Sequence, residues 1–177
     1  MRRFFIFAAV VAVLVGLVGL VLTRPKRVDQ TQLNGIVPDL SRGEAVFYAA
    51  GCASCHSAPN ATGEEKLVLA GGRRFETDFG TFIAPNISSD PVAGIGSWSA
   101  LDLANALLHG TGPEGQHYFP AFPYSTYANM SVEDVVSLHA FLGTLPAVPT
   151  QSAAHDGGFP FNIRRGLGGW KLLYLQP

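Results

Sequence analysis

The sequence is poor in charge, with 14% Asp, Glu, Lys and Arg, and neither sign is in excess: 12 basic and 13 acidic residues give a formal net charge of −1. Nucleic-acid binding needs clustered Lys and Arg to neutralise phosphates, so the balance argues against that class of partner. Cysteine and methionine are almost absent, at two residues each. Both cysteines fall in Gly51-Cys-Ala-Ser-Cys-His56, and no second Cys pair exists to complete a four-ligand zinc site. A Cys₂His₂ set is arithmetically open with five histidines, but they lack close pairing; only His109 and His117 come near it. Internal repeats and low-complexity tracts are missing as well.

Charge is absent altogether from residues 4–22, FFIFAAVVAVLVGLVGLVL. As a helix this run rises about 28 Å, close to the thickness of a bilayer core. Arg2 and Arg3 provide the basic start of a signal peptide, but the run is longer than a typical apolar h-region. It is followed by Thr23-Arg24-Pro25-Lys26-Arg27 rather than a small-residue cleavage site. The reading is an uncleaved membrane anchor over residues 1–23. Basic residues at both ends leave its orientation open. Residues 24–40 read as a linker, 41–146 as one compact domain and 147–177 as a Pro- and Gly-rich extension.

Within the domain, Ser41-x-x-Glu44, Ser99-x-x-Asp102 and Ser131-x-x-Asp134 each precede an apolar pattern, and each pattern meets a glycine at Gly51, Gly110 or Gly143. A serine N-cap with an acid three residues on, then a glycine stop, predicts helices near 42–50, 100–109 and 132–142. Gly43 lies inside the first helix. It is either tolerated in a first turn or marks close approach by the last helix near Phe141. GGRRFETDFGTFIAPNI predicts a short two-stranded ribbon turning near Asp78-Phe79-Gly80. Three short helices and long loops make a thin core, so something else should fill the middle.

Cys-x-x-Cys also suits a thioredoxin-like redox pair. That fold needs strands alternating with helices around the motif, whereas Cys52 directly follows a helix. Cys-x-x-Cys-His is in addition the signal for covalent haem: one turn of chain lets both sulfurs join the vinyl groups while His56 projects under the macrocycle. A buried macrocycle would also supply the missing core volume.

At this point the sequence resembles a class I c-type cytochrome. It is similar in particular to the haem modules of membrane-bound bacterial alcohol and aldehyde dehydrogenase cytochrome subunits. The resemblance rests on SRGEAVFYAAGCASCHSAP, FGTFIAPNISSDPVAGIGSWS, YFPAFPYSTYANMSVEDVVSLHAFLGTLP and FPFNIRRGLGGWKLLYL. It implies an all-α class I cytochrome c domain with long loops around one haem c. It also implies single-electron transfer rather than catalysis, and attachment outside the cytoplasm. The last point would orient the anchor in a bacterial inner membrane with the domain in the periplasm. The expected partners are a dehydrogenase or cytochrome donor and an oxidase or cytochrome acceptor of the respiratory chain. Those family subunits commonly carry three haem modules, but this chain has one attachment motif and so at most one haem.

Cys52 and Cys55 are the expected attachment points and His56 the proximal ligand, its other nitrogen donating to a backbone carbonyl expected in the loop around Pro59. Many relatives carry a methionine in an Ala-Met-Pro-Tyr segment, where this chain has Ala121-Phe122-Pro123-Tyr124. Met130 is therefore the expected sixth ligand. His117 and His109 are its rivals, and His139 and His155 are read as packed or exposed. Met130 packing as a hydrophobic staple is the plainer alternative. Arg73 and Arg74 are candidates for pairing with haem propionates, and Trp98 and Tyr48 for hydrogen-bonding them; solvated charge and core filling are the alternatives. Phe119, Phe122 and Tyr124 are expected to line the pocket. The tail with Arg164, Arg165, Trp170 and Lys171 is read first as a strap on its own domain, then as an interfacial helix. The rival function is a haem enzyme or ligand-binding protein with an open distal site. A further rival is a sensor or assembly module whose haem is structural.

Overall fold

The computed structural model describes residues 1–175. The uncharged run forms helix α1 (Arg2–Leu22), none of whose residues is buried by the rest of the chain. It is long and apolar enough to cross a bilayer. Six further helices follow: α2 (Leu40–Ala49), α3 (Cys52–His56), α4 (Ala100–His109), α5 (Tyr124–Tyr127), α6 (Val132–Thr144) and α7 (Gly166–Tyr174). The expected ribbon is present as β1 (Arg74–Thr77) and β2 (Gly80–Ile83), antiparallel, with Phe75 opposite Phe82. The domain is mostly helical, with this single hairpin among its described residues.

Helices α2, α4 and α6 form the frame. Their apolar faces meet in a core that includes Phe47, Leu103, Leu107, Val135, Leu138 and Leu142. Ser99 and Ser131 cap α4 and α6 as their spacing predicts, accepting from the N–H groups of Asp102 and Asp134. The first helix differs: Asp39, not Ser41, is the N-cap, its carboxylate accepting from Arg42 N at 3.1 Å. A carboxylate caps at least as well as a hydroxyl, so the helix starts two residues earlier. Gly143 does not end α6, which runs to Thr144 and stops before Pro146; proline disfavours helical backbone in the residue before it.

Of the two roles open to Gly43, close approach is the one found. A Cβ there would lie 2.2 Å from the Ser137 carbonyl oxygen and 2.8 Å from Phe141 Cβ. Around this crossing, Asp39 N donates to Ser137 Oγ at 3.2 Å and the Arg42 guanidinium pairs with Asp134 at 2.6 Å.

The stretch between α1 and α2 is fastened down rather than free. Val28 is buried in the core, and its N–H donates to the buried Asn105 Oδ1 at 2.7 Å. The C-terminal extension is tied to the domain as well. Thr81 and Asp156 exchange both backbone hydrogen bonds, at 2.8 and 2.9 Å. The Asn86 side-chain amide donates to the carbonyls of Val148 at 2.7 Å and Thr150 at 2.9 Å, and its oxygen accepts from Ser88 N at 2.8 Å. Asn86 is thus the clasp between the loop after β2 and the extension.

Gly43→Ala should destabilise the protein by about 2 kcal/mol or more despite alanine's higher helix propensity, because the clash is with backbone. Gly143→Ala, exposed and with nothing within 4 Å of the added methyl, should instead stabilise by about 0.5–1 kcal/mol. Thermal unfolding of the two variants reads opposite signs. Asn86→Ala should cost about 2–4 kcal/mol, and amide exchange over 146–156 should quicken while that of α6 is spared.

Candidate haem-binding cleft

Gly51 adopts φ 69° and turns the chain from α2 directly into α3, the single turn that carries Cys52, Cys55 and His56. All three side chains line one cleft of about 380 Å³. One wall comes from the ribbon and the loop after it, including Phe82, Pro85 and Ile87. The opposite wall comes from α4, α5 and α6, including Leu103, Leu107, Tyr127 and Leu138. No carboxylate lines the cleft among the described residues, and Arg164 is the one lining side chain with a permanent charge.

His56 lies at the base of the cleft with its Nδ1 2.8 Å from the Pro85 carbonyl oxygen. A carbonyl only accepts, so Nδ1 carries the proton and Nε2 keeps its lone pair. The carbonyl is therefore that of Pro85, not one in the loop near Pro59. Burial pushes the His56 pKa down, and the Pro85 hydrogen bond opposes this in part. The ring is held neutral, in the tautomer a metal ligand needs. The loop itself is pinned, because Gly71 N donates to His56 O at 2.8 Å. A Cβ on Gly71 would sit 2.4 Å from the Pro85 oxygen, and its φ of 71° also favours glycine.

Burial raises the Cys52 thiol to about 11. Redox-active Cys-x-x-Cys pairs depend on a lowered thiol pKa, so this environment runs against thioredoxin-like exchange. The cysteines are not bonded to each other. No cluster of three or more His, Cys, Asp or Glu suited to a metal ion alone occurs among the described residues. Two free thiols, one available imidazole nitrogen and a largely apolar, acid-free cleft fit a covalently held porphyrin carrying its own iron.

The other expected site residues divide. Trp98, Phe119 and Phe122 line the cleft. Tyr48 and Arg73 line a separate depression on the far side of α3, where Arg73 donates to the Ser54 carbonyl. Arg74 is exposed on β1. Tyr124 does not line the cleft but is fully buried, its ring under Gly110, where an added Cβ would approach it to 2.5 Å. Met130 is half-buried and packs against the core cluster rather than lining the cleft. Its N–H donates to Tyr127 O at 2.8 Å, which puts it one turn from the cleft wall.

Among the histidines, His117 donates from Nε2 to Thr23 O at 3.0 Å, and His139 from Nε2 to Trp98 O at 2.8 Å. Neither they nor His109 line the cleft. His155 does, packed between Phe82 and Phe119, with Nδ1 accepting from Ile83 N at 3.1 Å. The neutral His155 ring therefore carries its proton on Nε2, which makes it a donor into the cleft. Arg164, whose guanidinium lies 4.7 Å over the Phe119 ring, also reaches the cleft. His155 and Arg164 come from the extension, and no local sequence pattern marks either as part of the site.

The cytochrome c family profile matches residues 40–146, the stretch that builds most of this cleft. The chain is 53% identical over its whole length to a diheme cytochrome c-type protein of Cereibacter sphaeroides, of which it covers 60%. It is 34% identical over 84% of its length to the fructose dehydrogenase cytochrome subunit of Gluconobacter japonicus. It is 33% identical over 77% to the cytochrome c subunit of the quinone alcohol dehydrogenase of Gluconobacter oxydans. It covers 30% and 28% of those two proteins. The chain thus spans under two thirds of the length of each of these relatives. With the motif, the neutral imidazole and the cleft all inside the matched region, the chain belongs to the cytochrome c family.

Proposed function

We propose that the chain is a membrane-anchored monohaem electron carrier. It takes single electrons from a periplasmic dehydrogenase or cytochrome and passes them to a respiratory oxidase or a further cytochrome. The observation that carries this reading is the His56 ring, proton fixed on Nδ1 by Pro85, beside both cysteines in an acid-free cleft. Relatives that are cytochrome subunits of dehydrogenases support the electron-transfer role. The long apolar α1, with the family's attachment outside the cytoplasm, supports a single-pass anchor in the inner membrane and a periplasmic domain.

When bound, haem c supplies a one-electron iron couple. Cys52 and Cys55 would fix it to the chain, and His56 Nε2 would ligate the iron. The apolar walls exclude water, and a cleft of low dielectric disfavours the extra positive charge of the oxidised state, which raises the potential. Arg164, which lines the cleft, would pair with a propionate, and His155 Nε2–H would be a second donor to the same carboxylates; Arg73 and Arg74 lie outside the cleft lining. Trp98 completes the wall.

Met130 remains the thioether assigned to the sixth position, reached by a shift of the short turn between Tyr127 and Ser131. Its place off the cleft wall favours one second reading, a haem with an open or labile distal side that binds small ligands. Absorption spectra separate the two. Ligation by Met130 predicts a ferric thioether–iron band in the wild type that is lost in Met130→Ala, with a lower midpoint potential in the variant. It also predicts slow carbon monoxide binding to the reduced wild type and fast binding to the variant. Fast binding to both, with no such band, supports the open site and overturns the ligand assignment.

A further inference from the structure

Helix α7 is fixed at the point where α1 leaves its apolar run. The Arg165 guanidinium donates to the Leu20 carbonyl, one of the last carbonyls of α1 that lack a partner within their own helix. Gly168 lies directly on Thr23, so that a Cβ there would sit 2.3 Å from the Thr23 oxygen. At 21 residues α1 spans about 31 Å, the thickness of the hydrocarbon core. Leu20 to Thr23 then lie at the membrane surface, and α7 is held at the same depth.

The inner side of α7 is fully engaged. Trp170 packs edge-on to Tyr124 at 6.1 Å, and Lys171 Nζ donates to the carbonyls of His109 at 2.7 Å and Gly110 at 2.6 Å, closing the end of α4. The outer side carries Leu172, Leu173 and Tyr174, exposed by 49, 70 and 65%. The segments that meet here carry Arg24, Lys26, Arg27 and Arg165, four of the chain's 12 basic residues, besides Arg164 and Lys171, which face the cleft and α4. Residues 23–27 and 157–175 contain no Asp or Glu. An apolar strip with a Tyr at one end, on an acid-free segment held level with the end of a membrane span whose next residues are basic, has the chemistry of an interfacial helix.

We propose that α7 lies on the outer face of the bilayer as a second membrane contact, seating Leu172, Leu173 and Tyr174 among anionic headgroups. This rests on α1 spanning the membrane. Two contacts at one level, α1 and α7, stop the domain from tumbling on a single tether. They hold the cleft at one tilt above the membrane, because α7 is bonded to α4 and to the end of α1.

Nitroxide labels on three single variants of the full-length, haem-loaded chain test this. The sites are Val13→Cys in α1, Leu173→Cys in α7 and Val92→Cys on an exposed loop. Each protein is reconstituted in vesicles of phosphatidylethanolamine and phosphatidylglycerol and kept reduced. Haem content of each variant is checked by mass. Relaxation by oxygen against a water-soluble nickel chelate reports depth. The expected order is oxygen-dominated at 13, intermediate at 173 and chelate-dominated at 92. A chelate-dominated label at 173 with an oxygen-dominated one at 13 overturns the α7 contact and leaves the span standing. A label at 173 shielded from both reagents means that protein covers the strip, and also overturns it. Chelate-dominated labels at both 13 and 173 remove the span, and this inference with it.

Discussion

The hydrogen bond from His56 Nδ1 to the Pro85 carbonyl is the constraint on which the site depends. It decides which nitrogen of the ring is free, and it ties α3 to the loop after β2, 29 residues along the chain. The backbone reinforces it from the other side, with Gly71 N on His56 O. A side chain at Gly71 would strike the carbonyls of Ala84 and Pro85, so three segments meet at a spacing only glycine permits. The imidazole is fixed by this arrangement with Nε2 free, as the proposed iron ligation requires.

The extension that follows α6 supports the same loop from outside. Asn86 is next to Pro85, and its side chain holds the 148–150 segment, while Thr81 and Asp156 pair across the edge of the ribbon. The segment thereby carries His155 and Arg164 to the cleft, where they add donors to walls that are largely apolar. Further on it becomes α7, joining the end of α4 to the end of α1. A region rich in glycine and proline thus links proximal loop, cleft mouth and anchor into one unit.

Much of this was legible in the sequence where the signal is local. The caps at Ser99 and Ser131 and the ribbon turn at Asp78–Gly80 each depend on neighbours within a few residues, and each stands where it was expected. The carbonyl under His56 was not legible, because it is fixed by a loop contact across 29 positions; Pro59, near in sequence, does not make it. The same holds for Arg164, which lines the cleft where Arg73 does not, and for Tyr124, drawn inward by a left-handed turn at Gly110. Asp39 displaced Ser41 because two competent capping residues stood two positions apart, and spacing alone does not choose between them. The segment before α2 looked like a linker since its one buried apolar residue, Val28, has no periodic companions; a distant Asn105 holds it.

Everything proposed for this chain requires a porphyrin held covalently by Cys52 and Cys55, with His56 as an iron ligand. Intact mass of the mature chain, made in a host able to attach haem c, tests this most directly. One porphyrin on the wild type, lost when both cysteines are replaced by alanine, is the predicted result. A bare polypeptide mass from such a host, or haem mass that survives loss of both thiols, would contradict it.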